Sequence, residues 1–183
     1  MTKAWMLACV ATLVLTACDG AQKDEAPTSE RAAEAAGDKT LATGLGDNAK
    51  FAAAIKAAGL EGVLAGPTPY TLIAPNDAAF DTLPAGAADA MMAPAGRKQL
   101  TAVLTNHILP GTMLAADIGK AIDAGGGKTQ IATLGGGTLT ATRNGDVIVF
   151  ADAAGKQAKV TRADSARSNG VIHTIDGVLM PTN

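Results

Sequence analysis

The stretch SNGVIHTIDGVLMP, Ser168 to Pro181, decides how the C-terminal part of the chain folds. Asn169-Gly170 is typical of a turn, and the run from Val171 to Ile175, rich in β-branched residues, predicts a strand. This strand holds His173, with Asp176 three positions beyond it. Because side chains alternate along a strand, the two point to opposite faces and form no local catalytic pair. We therefore expect His173 to be a hydrogen-bonded core residue.

The rest of the second half has the same character as this strand. Its short segments rich in Thr, Val and Ile are separated by glycine, and they predict strands at QIATL, TLTATR, DVIVF, AKVTRA, GVIHTI and VLM. Asn144-Gly145 predicts a two-residue hairpin turn in which both central residues have positive φ. We expect GGGKT, Gly125 to Thr129, to be a flexible connection, because it lacks the earlier glycine and the strand that a phosphate-binding loop requires.

The first half has a helical pattern. KFAAAIKAAG places Phe51 and Ile55 one turn apart. Asp47 or Asn48 is the expected N-cap of this helix, and Gly59 is its expected end. YTLIA predicts a short buried strand, and RKQLTAVLTNHIL predicts a helix that runs into a strand. Helices followed by an antiparallel-rich sheet place the chain in the α+β fold class.

Three blocks of the chain, in matching order and spacing, resemble the fasciclin domain family. They are GPTPYTLIAPNDAAFDTLPAG (Gly66–Gly86), LTAVLTNHILPGTMLAADI (Leu100–Ile118) and ADSARSNGVIHTIDGVLMP (Ala163–Pro181). The resemblance extends over essentially the whole of Leu41 to Pro181. It implies a compact domain of N-terminal helices packed on a mainly antiparallel β-wedge or sandwich. It also implies adhesion or binding at cell surfaces rather than catalysis.

Four residues match the family's motifs, and we expect them to be structural: His107, Asn169, Gly170 and His173. The two histidines are expected to lie near each other. The chain departs from the family at two positions. Asn106 stands before the histidine of the second block, where the family often has tyrosine, so integrin binding is not expected. Asp164 is followed by Ser165, where isoleucine is common.

The N-terminus predicts export and lipid anchoring. Residues 1–17 are typical of a signal peptide whose apolar run is too short to span a bilayer. LTAC, Leu15 to Cys18, resembles the lipobox of bacterial lipoproteins, which implies cleavage before Cys18 and acylation of its thiol. Acyl chains would hold the protein to a bacterial membrane. Asp19 resembles a signal for retention in the inner membrane, facing the periplasm, while the outer membrane or cell surface is the alternative.

The composition limits the partners and the chemistry. Residues 18–40 are charged and small and predict a disordered tether behind the lipidated cysteine, whereas residues 41–183 predict one fasciclin-like domain. The 15 basic and 17 acidic residues form no clustered basic run, so no nucleic acid partner is expected. With Cys9 in the signal and Cys18 acylated, no thiol is left. We therefore predict no metal, no cofactor and no catalytic residue.

Candidate binding residues lie in two loops at strand ends: Asn76, Asp77, Arg167 and Asn169. Turn and cap chemistry is the competing explanation for all of them. The expected ligand is a protein or polysaccharide at the cell envelope, whose identity the sequence does not give. The alternative function is a periplasmic small-molecule binder or cryptic hydrolase that uses His107 or His173. A spacer without a ligand is a third interpretation.

Overall fold

The computed structural model describes residues 38–46 and 48–181. The predicted signal peptide, the predicted lipidation site Cys18 and the predicted tether as far as residue 37 lie outside these residues. Among the residues described, no helix has the length and apolar character needed to cross a membrane. The chain enters the domain beside the turn before the last strand, where the Ser168 amide donates to the Lys39 carbonyl at 3.0 Å.

Helices dominate the first half, and strands dominate the second. The elements in chain order are α1 (Ala49–Ala58), α2 (Glu61–Ala65), β1 (Tyr70–Pro75), α3 (Asp77–Asp81), α4 (Ala87–Met92), a 3₁₀ turn (Pro94–Gly96), α5 (Arg97–Asn106), β2 (Ile108–Pro110), α6 (Ala115–Ala124), β3 (Lys128–Ala132), β4 (Thr138–Asn144), β5 (Val147–Ala151), β6 (Gln157–Arg167) and β7 (Gly170–Ile175). This arrangement confirms the α+β class.

Helix α1 forms where the sequence predicts it but begins differently. Phe51 and Ile55 are buried, and Gly59 ends the helix with φ of 76°, as expected. Asn48, the predicted cap, makes no side-chain cap bond. Its amide nitrogen instead donates to two carbonyl oxygens at the end of β1, and the Asp77 carboxylate accepts from the Lys50 amide at 2.8 Å. Asn48 thus holds the predicted N-cap position, but its side chain does not cap the helix, because the Asp77 carboxylate accepts from the first turn instead. Asp47, the other predicted cap, lies outside the described residues.

The seven strands form one sheet in the order β2-β1-β7-β6-β5-β4-β3. Strands β1 and β7 pair in parallel, with Ile73 opposite His173, and all other pairs are antiparallel. The turn between β4 and β5 consists of Gly145 and Asp146, and only Gly145 has positive φ, 61°. This is the pattern of a type II′ turn, so the prediction of two positive φ values is wrong.

Two other expectations about the sheet need correction. The VLM segment forms no strand, because the Leu179 amide donates to the His107 ring at 3.1 Å and the Met180 amide donates to the Asp152 carboxylate at 2.9 Å. These backbone amides donate to side chains and are therefore not available to pair with a neighbouring strand. The GGGKT segment is partly regular, since its last two residues, Lys128 and Thr129, begin β3.

The β1–β7 pair separates two apolar clusters. Leu72 and Ile172 pack with the helices, whereas Ile73 and Ile175 pack on the opposite side with β4, β5 and α6. The β7 strand is thus covered on both faces. A fully buried Leu or Ile side chain contributes about 1.5–3 kcal/mol to stability, so this pair of strands is the centre of the domain.

Candidate functional site

The four predicted binding residues do not form one site. Asn76 and Asp77 follow the carboxyl end of β1, whereas Arg167 and Asn169 precede the amino end of β7. Because β1 and β7 run parallel over six residues, these ends lie about 20 Å apart. Each end is therefore a separate candidate.

The side chains at the carboxyl end of β1 cap helices. The Asn76 side-chain oxygen accepts from the Ala79 amide at 2.7 Å, at the start of α3. The Asp77 carboxylate accepts from Lys50 in the first turn of α1. Lys50 also forms an ion pair with Asp81. Structural contacts thus occupy the polar groups at this end.

The side chain of Asn169 is buried at the amino end of β7. Its oxygen accepts from the Leu41 amide at 2.8 Å, and its nitrogen donates to the carbonyls of Leu64, at 2.8 Å, and Gly66, at 2.7 Å. Asn169 therefore joins the chain entry, the end of α2 and β7, and the turn residues are Ser168 and Asn169 rather than Asn169 and Gly170.

Gly170 begins β7 in a conformation that only glycine suits. Its φ is 151°, and a Cβ atom there would lie 2.0 Å from the Tyr70 carbonyl oxygen. A side chain at this position would separate β7 from β1. Gly170 is thus required by the close approach of the two parallel strands.

Arg167 stands beside this junction and is half-buried. Its guanidinium donates to the Gly44 carbonyl through two nitrogens and to the Ala166 carbonyl through the third. Burial lowers the pKa of Arg167, and the positive charge of Arg162 lowers it further. A cleft of about 270 Å³ adjoins this arginine at the amino end of β7, and another of about 340 Å³ adjoins the Lys50–Asp81 ion pair near the other end.

His107 is fully buried at the end of α5. Its Nδ1 lies 2.8 Å from the Val103 carbonyl, and its Nε2 accepts from the Leu179 amide. Because a carbonyl can only accept, the proton of the neutral ring is on Nδ1. Burial lowers the pKa of His107 to about 4, against the raising effects of the Val103 hydrogen bond and the Asp152 charge. The ring therefore binds α5 to the C-terminal segment as a neutral imidazole.

His173 is also fully buried but has the opposite tautomer. Its Nε2 donates to the Met113 carbonyl at 2.8 Å, and its Nδ1 accepts from the Asp164 amide at 3.2 Å. Burial lowers the pKa of His173, and the Met113 hydrogen bond and the Asp164 charge oppose that shift. These contacts are those of the core residue that the sequence predicts.

The two histidines are linked by backbone contacts of Ile73, and their rings share no hydrogen bond. Ile73 pairs with His173 in the sheet and donates its amide to the His107 carbonyl at 2.9 Å. The two rings, however, bind different partners. Since both nitrogens of each ring are engaged, neither ring is available as a base or ligand without rearrangement of the core.

Sequence reasoning missed the role of Asp164. It is the only non-glycine residue in the described part of the chain with positive φ, 56°, and it lies at an irregularity of β6. Its carboxylate accepts from the Ala115 amide at the start of α6, at 2.8 Å. The sequence held one signal for this role: Asp164 precedes Ser165, where the chain departs from the family pattern.

Across residues 38–46 and 48–181 no cluster of three His, Cys, Asp or Glu side chains has the spacing of a metal site.

Comparison with known proteins agrees with this geometry. Residues 46–181 match the sequence pattern of the Fasciclin domain. Protein sll1483 of Synechocystis sp. is 36% identical over 148 residues, which cover 80% of this chain and 71% of the relative. Transforming growth factor-beta-induced protein ig-h3 of Sus scrofa is 36% identical over 70% of this chain, which spans only 17% of the relative.

A third relative and a solved structure extend the comparison. Immunogenic protein MPB70 of Mycobacterium bovis is 31% identical over 61% of this chain and 50% of the relative. The structure of a FAS1 domain pair from the insect cell adhesion molecule Fasciclin I covers 78% of this chain and 51% of that chain. Its TM-score is 0.62 at 18% identity, so it supports the fold. The chain belongs to the fasciclin domain family.

Proposed function

We propose that this protein is a membrane-anchored lipoprotein of the bacterial envelope that binds a protein or an extracellular polymer through its fasciclin domain. Acylated Cys18 anchors it, and residues 18–40 carry the domain away from the lipid. The domain acts by adhesion or binding and performs no reaction. The single observation that carries the binding role is membership of a family with a member in the cell adhesion molecule Fasciclin I.

The surroundings of the histidines support binding over the alternative of a hydrolase or small-molecule binder that uses His107 or His173. Both rings have no exposed surface, and backbone groups engage their four nitrogen atoms. A general base must reach the proton that it removes, and its pKa must suit the working pH. A histidine with a pKa of about 4, as at His107, is a poor base at neutral pH.

The anchor is tested by Cys18→Ser in the whole chain, expressed in a Gram-negative host. We expect the variant to lose membrane association or to accumulate with its signal attached, because no thiol is left for acylation. Cys9→Ser is the matched control, since Cys9 lies in the apolar part of the signal, and it should fractionate with membranes like the wild type. Retention of Cys18→Ser on membranes after a salt wash would contradict the lipid anchor.

The binding role is tested by crosslinking on intact cells that carry the wild-type chain. We expect a protein or polymer of the envelope to be captured reproducibly. The control is a chain with Gly170→Val, in which a side chain would contact the Tyr70 carbonyl and disrupt the domain while leaving the anchor intact. Equal capture by both chains would show that the domain contributes no binding.

A further inference from the structure

The cleft beside the β6–β7 turn has the features of a ligand site. Pro67 and Pro69, before β1, line it together with Thr112 and Leu114, before α6. Arg167 and Ser168 also line it, where the turn leaves the sheet. Its volume of about 270 Å³ is just below the usual range for small-ligand pockets, so it suits one side chain and its backbone rather than a long polymer.

The apolar part of the cleft is firmly held. Leu114 and Val171 are almost fully buried, and with Ala166 they form a small cluster apart from the two main ones. The loop before Leu114 is fixed by hydrogen bonds of Met113, whose carbonyl accepts from His173 and whose amide donates to the Thr71 hydroxyl at 2.8 Å. A ligand would therefore meet a preformed wall and lose little affinity to ordering of the protein.

Arg167 is the cationic side chain that lines the cleft. Within the described residues, all hydrogen bonds of the Arg167 guanidinium go to carbonyl oxygens, of Gly44 and Ala166. These use three of its five N–H donors, so two are left for a ligand. The local charge is thus complementary to an anion.

We infer that this cleft binds the C-terminal end of an apolar peptide, with the terminal carboxylate on Arg167 and the last aliphatic side chain between Pro69 and Leu114. The inference rests on the proposed binding function and names the chemistry of the partner. The lining has proline and aliphatic side chains but no aromatic ring on which a sugar could stack, which favours a peptide over a polysaccharide.

The test uses the whole chain, purified in detergent, with N-acetyl-leucine and N-acetyl-leucinamide as probes. The two differ only in the carboxylate. Saturation-transfer NMR titrations should give roughly tenfold tighter binding of the acid, because a charge-assisted hydrogen bond is lost in the amide. The difference should shrink at high salt. Equal affinity for the two probes, or no binding of either, would overturn the inference.

Two variants assign the binding to this cleft. Arg167→Gln should reduce acid binding to the level of the amide, whereas Arg143→Gln, which removes an exposed arginine from β4, should leave it unchanged. Ser168→Glu places a carboxylate at an exposed lining position and should also abolish acid binding without affecting the core. Wild-type affinity for the acid in both cleft variants would refute the assignment.

The inference and the proposed function can fail separately. If the wild-type chain captures an envelope partner but binds neither probe, the proposed function stands and this inference is wrong.

Discussion

A buried asparagine stabilises each end of the central parallel strand pair, but the two asparagines connect different things. At the carboxyl end of β1, the Asn48 amide donates to the Ala74 and Pro75 carbonyls, at 3.1 and 3.3 Å. At the amino end of β7, Asn169 has three partners, which lie more than 100 positions away in the chain. Asn48 holds one local junction, whereas Asn169 holds the chain entry, α2 and the last strand together.

The two ends differ in whether their polar side chains are used up by the fold or keep hydrogen-bond donors for a ligand. At the carboxyl end, the remaining polar side chains, Asn76 and Asp77, cap helices. At the amino end, Asn169 provides the structural bonds, and Arg167 keeps N–H donors beside a cleft. Arg167 also bonds to backbone carbonyls, those of Gly44 and Ala166, but a guanidinium has five N–H donors and these bonds use only three.

The largest effect is expected for Asn169→Leu. The substitution leaves the Leu41 amide and the Leu64 and Gly66 carbonyls without their partner. Each buried unsatisfied group costs about 1–3 kcal/mol, and the gain from the apolar side chain offsets part of this. We expect a loss of about 4 kcal/mol in the free energy of unfolding, measured by urea denaturation. Asn144→Leu, at the exposed end of β4, should change it by less than about 0.5 kcal/mol.

This prediction sharpens the contrast with Asn48. Because Asn48 has two carbonyl partners near one junction, Asn48→Leu should cost less than Asn169→Leu. An equal or larger loss in Asn48→Leu would remove the distinction between the two ends.

A smaller effect is expected from acid, and it arises at the two buried histidines rather than at the ends of the strand pair. The folded-state pKa of His107 is about 4, below its ordinary value of 6.5. The stability from the neutral ring is fully present above pH 6.5 and is lost as the pH falls from there towards 4. His173, whose pKa is also lowered by burial, acts in the same direction.

Between pH 7 and pH 5 this linkage predicts a loss of about 2 kcal/mol from His107 alone. Asp152 and Lys156 are the charged groups that act on its ring, with opposite signs. The measurement is urea denaturation across this range, in the wild type and in His107→Leu. The variant is less stable at pH 7 but should show a shallower pH dependence. A wild-type stability that does not change between pH 7 and pH 5 would show that burial does not lower the pKa of the rings in the folded state.

The sequence predicted those elements whose signals are local. The β-branched run in GVIHTI predicted β7 and the core position of His173, and Gly59 marked the end of α1. For Asn76, the competing explanation of cap chemistry matches the bond that its side chain accepts from Ala79. The fold class followed from the same patterns, and the resemblance of three blocks supplied the family.

What the sequence could not give depends on contacts between distant residues. Helix α6 begins at an Asp164 carboxylate that lies 49 positions away, so no local cap announces it. The VLM segment looks like a strand, but its amides bond to His107 and Asp152. At the candidate site, no pattern indicates that Asn169 would be buried while its neighbour Arg167 lines a cleft. These outcomes follow from which donors and acceptors meet after the chain has folded.

The smallest effect is expected at the carboxyl end of β1. Asp77→Ala removes the acceptor for the Lys50 amide in the first turn of α1 and a negative charge that favours the helix dipole. Loss of such a cap typically costs about 1 kcal/mol. The lost hydrogen bond leaves one amide without its acceptor at a helix end. Urea denaturation should therefore show a small decrease in the free energy of unfolding and no change in the cooperativity of unfolding. Asp146→Ala, in the exposed turn between β4 and β5, is the matched control and should change the free energy of unfolding very little.

If Asp77→Ala destabilised the protein as much as Asn169→Leu, the polar contacts at the carboxyl end would contribute as much stability as those at the amino end. If it instead abolished capture of an envelope partner at unchanged stability, the binding surface would lie at this end, and the assignment of the cap to a structural role would be wrong.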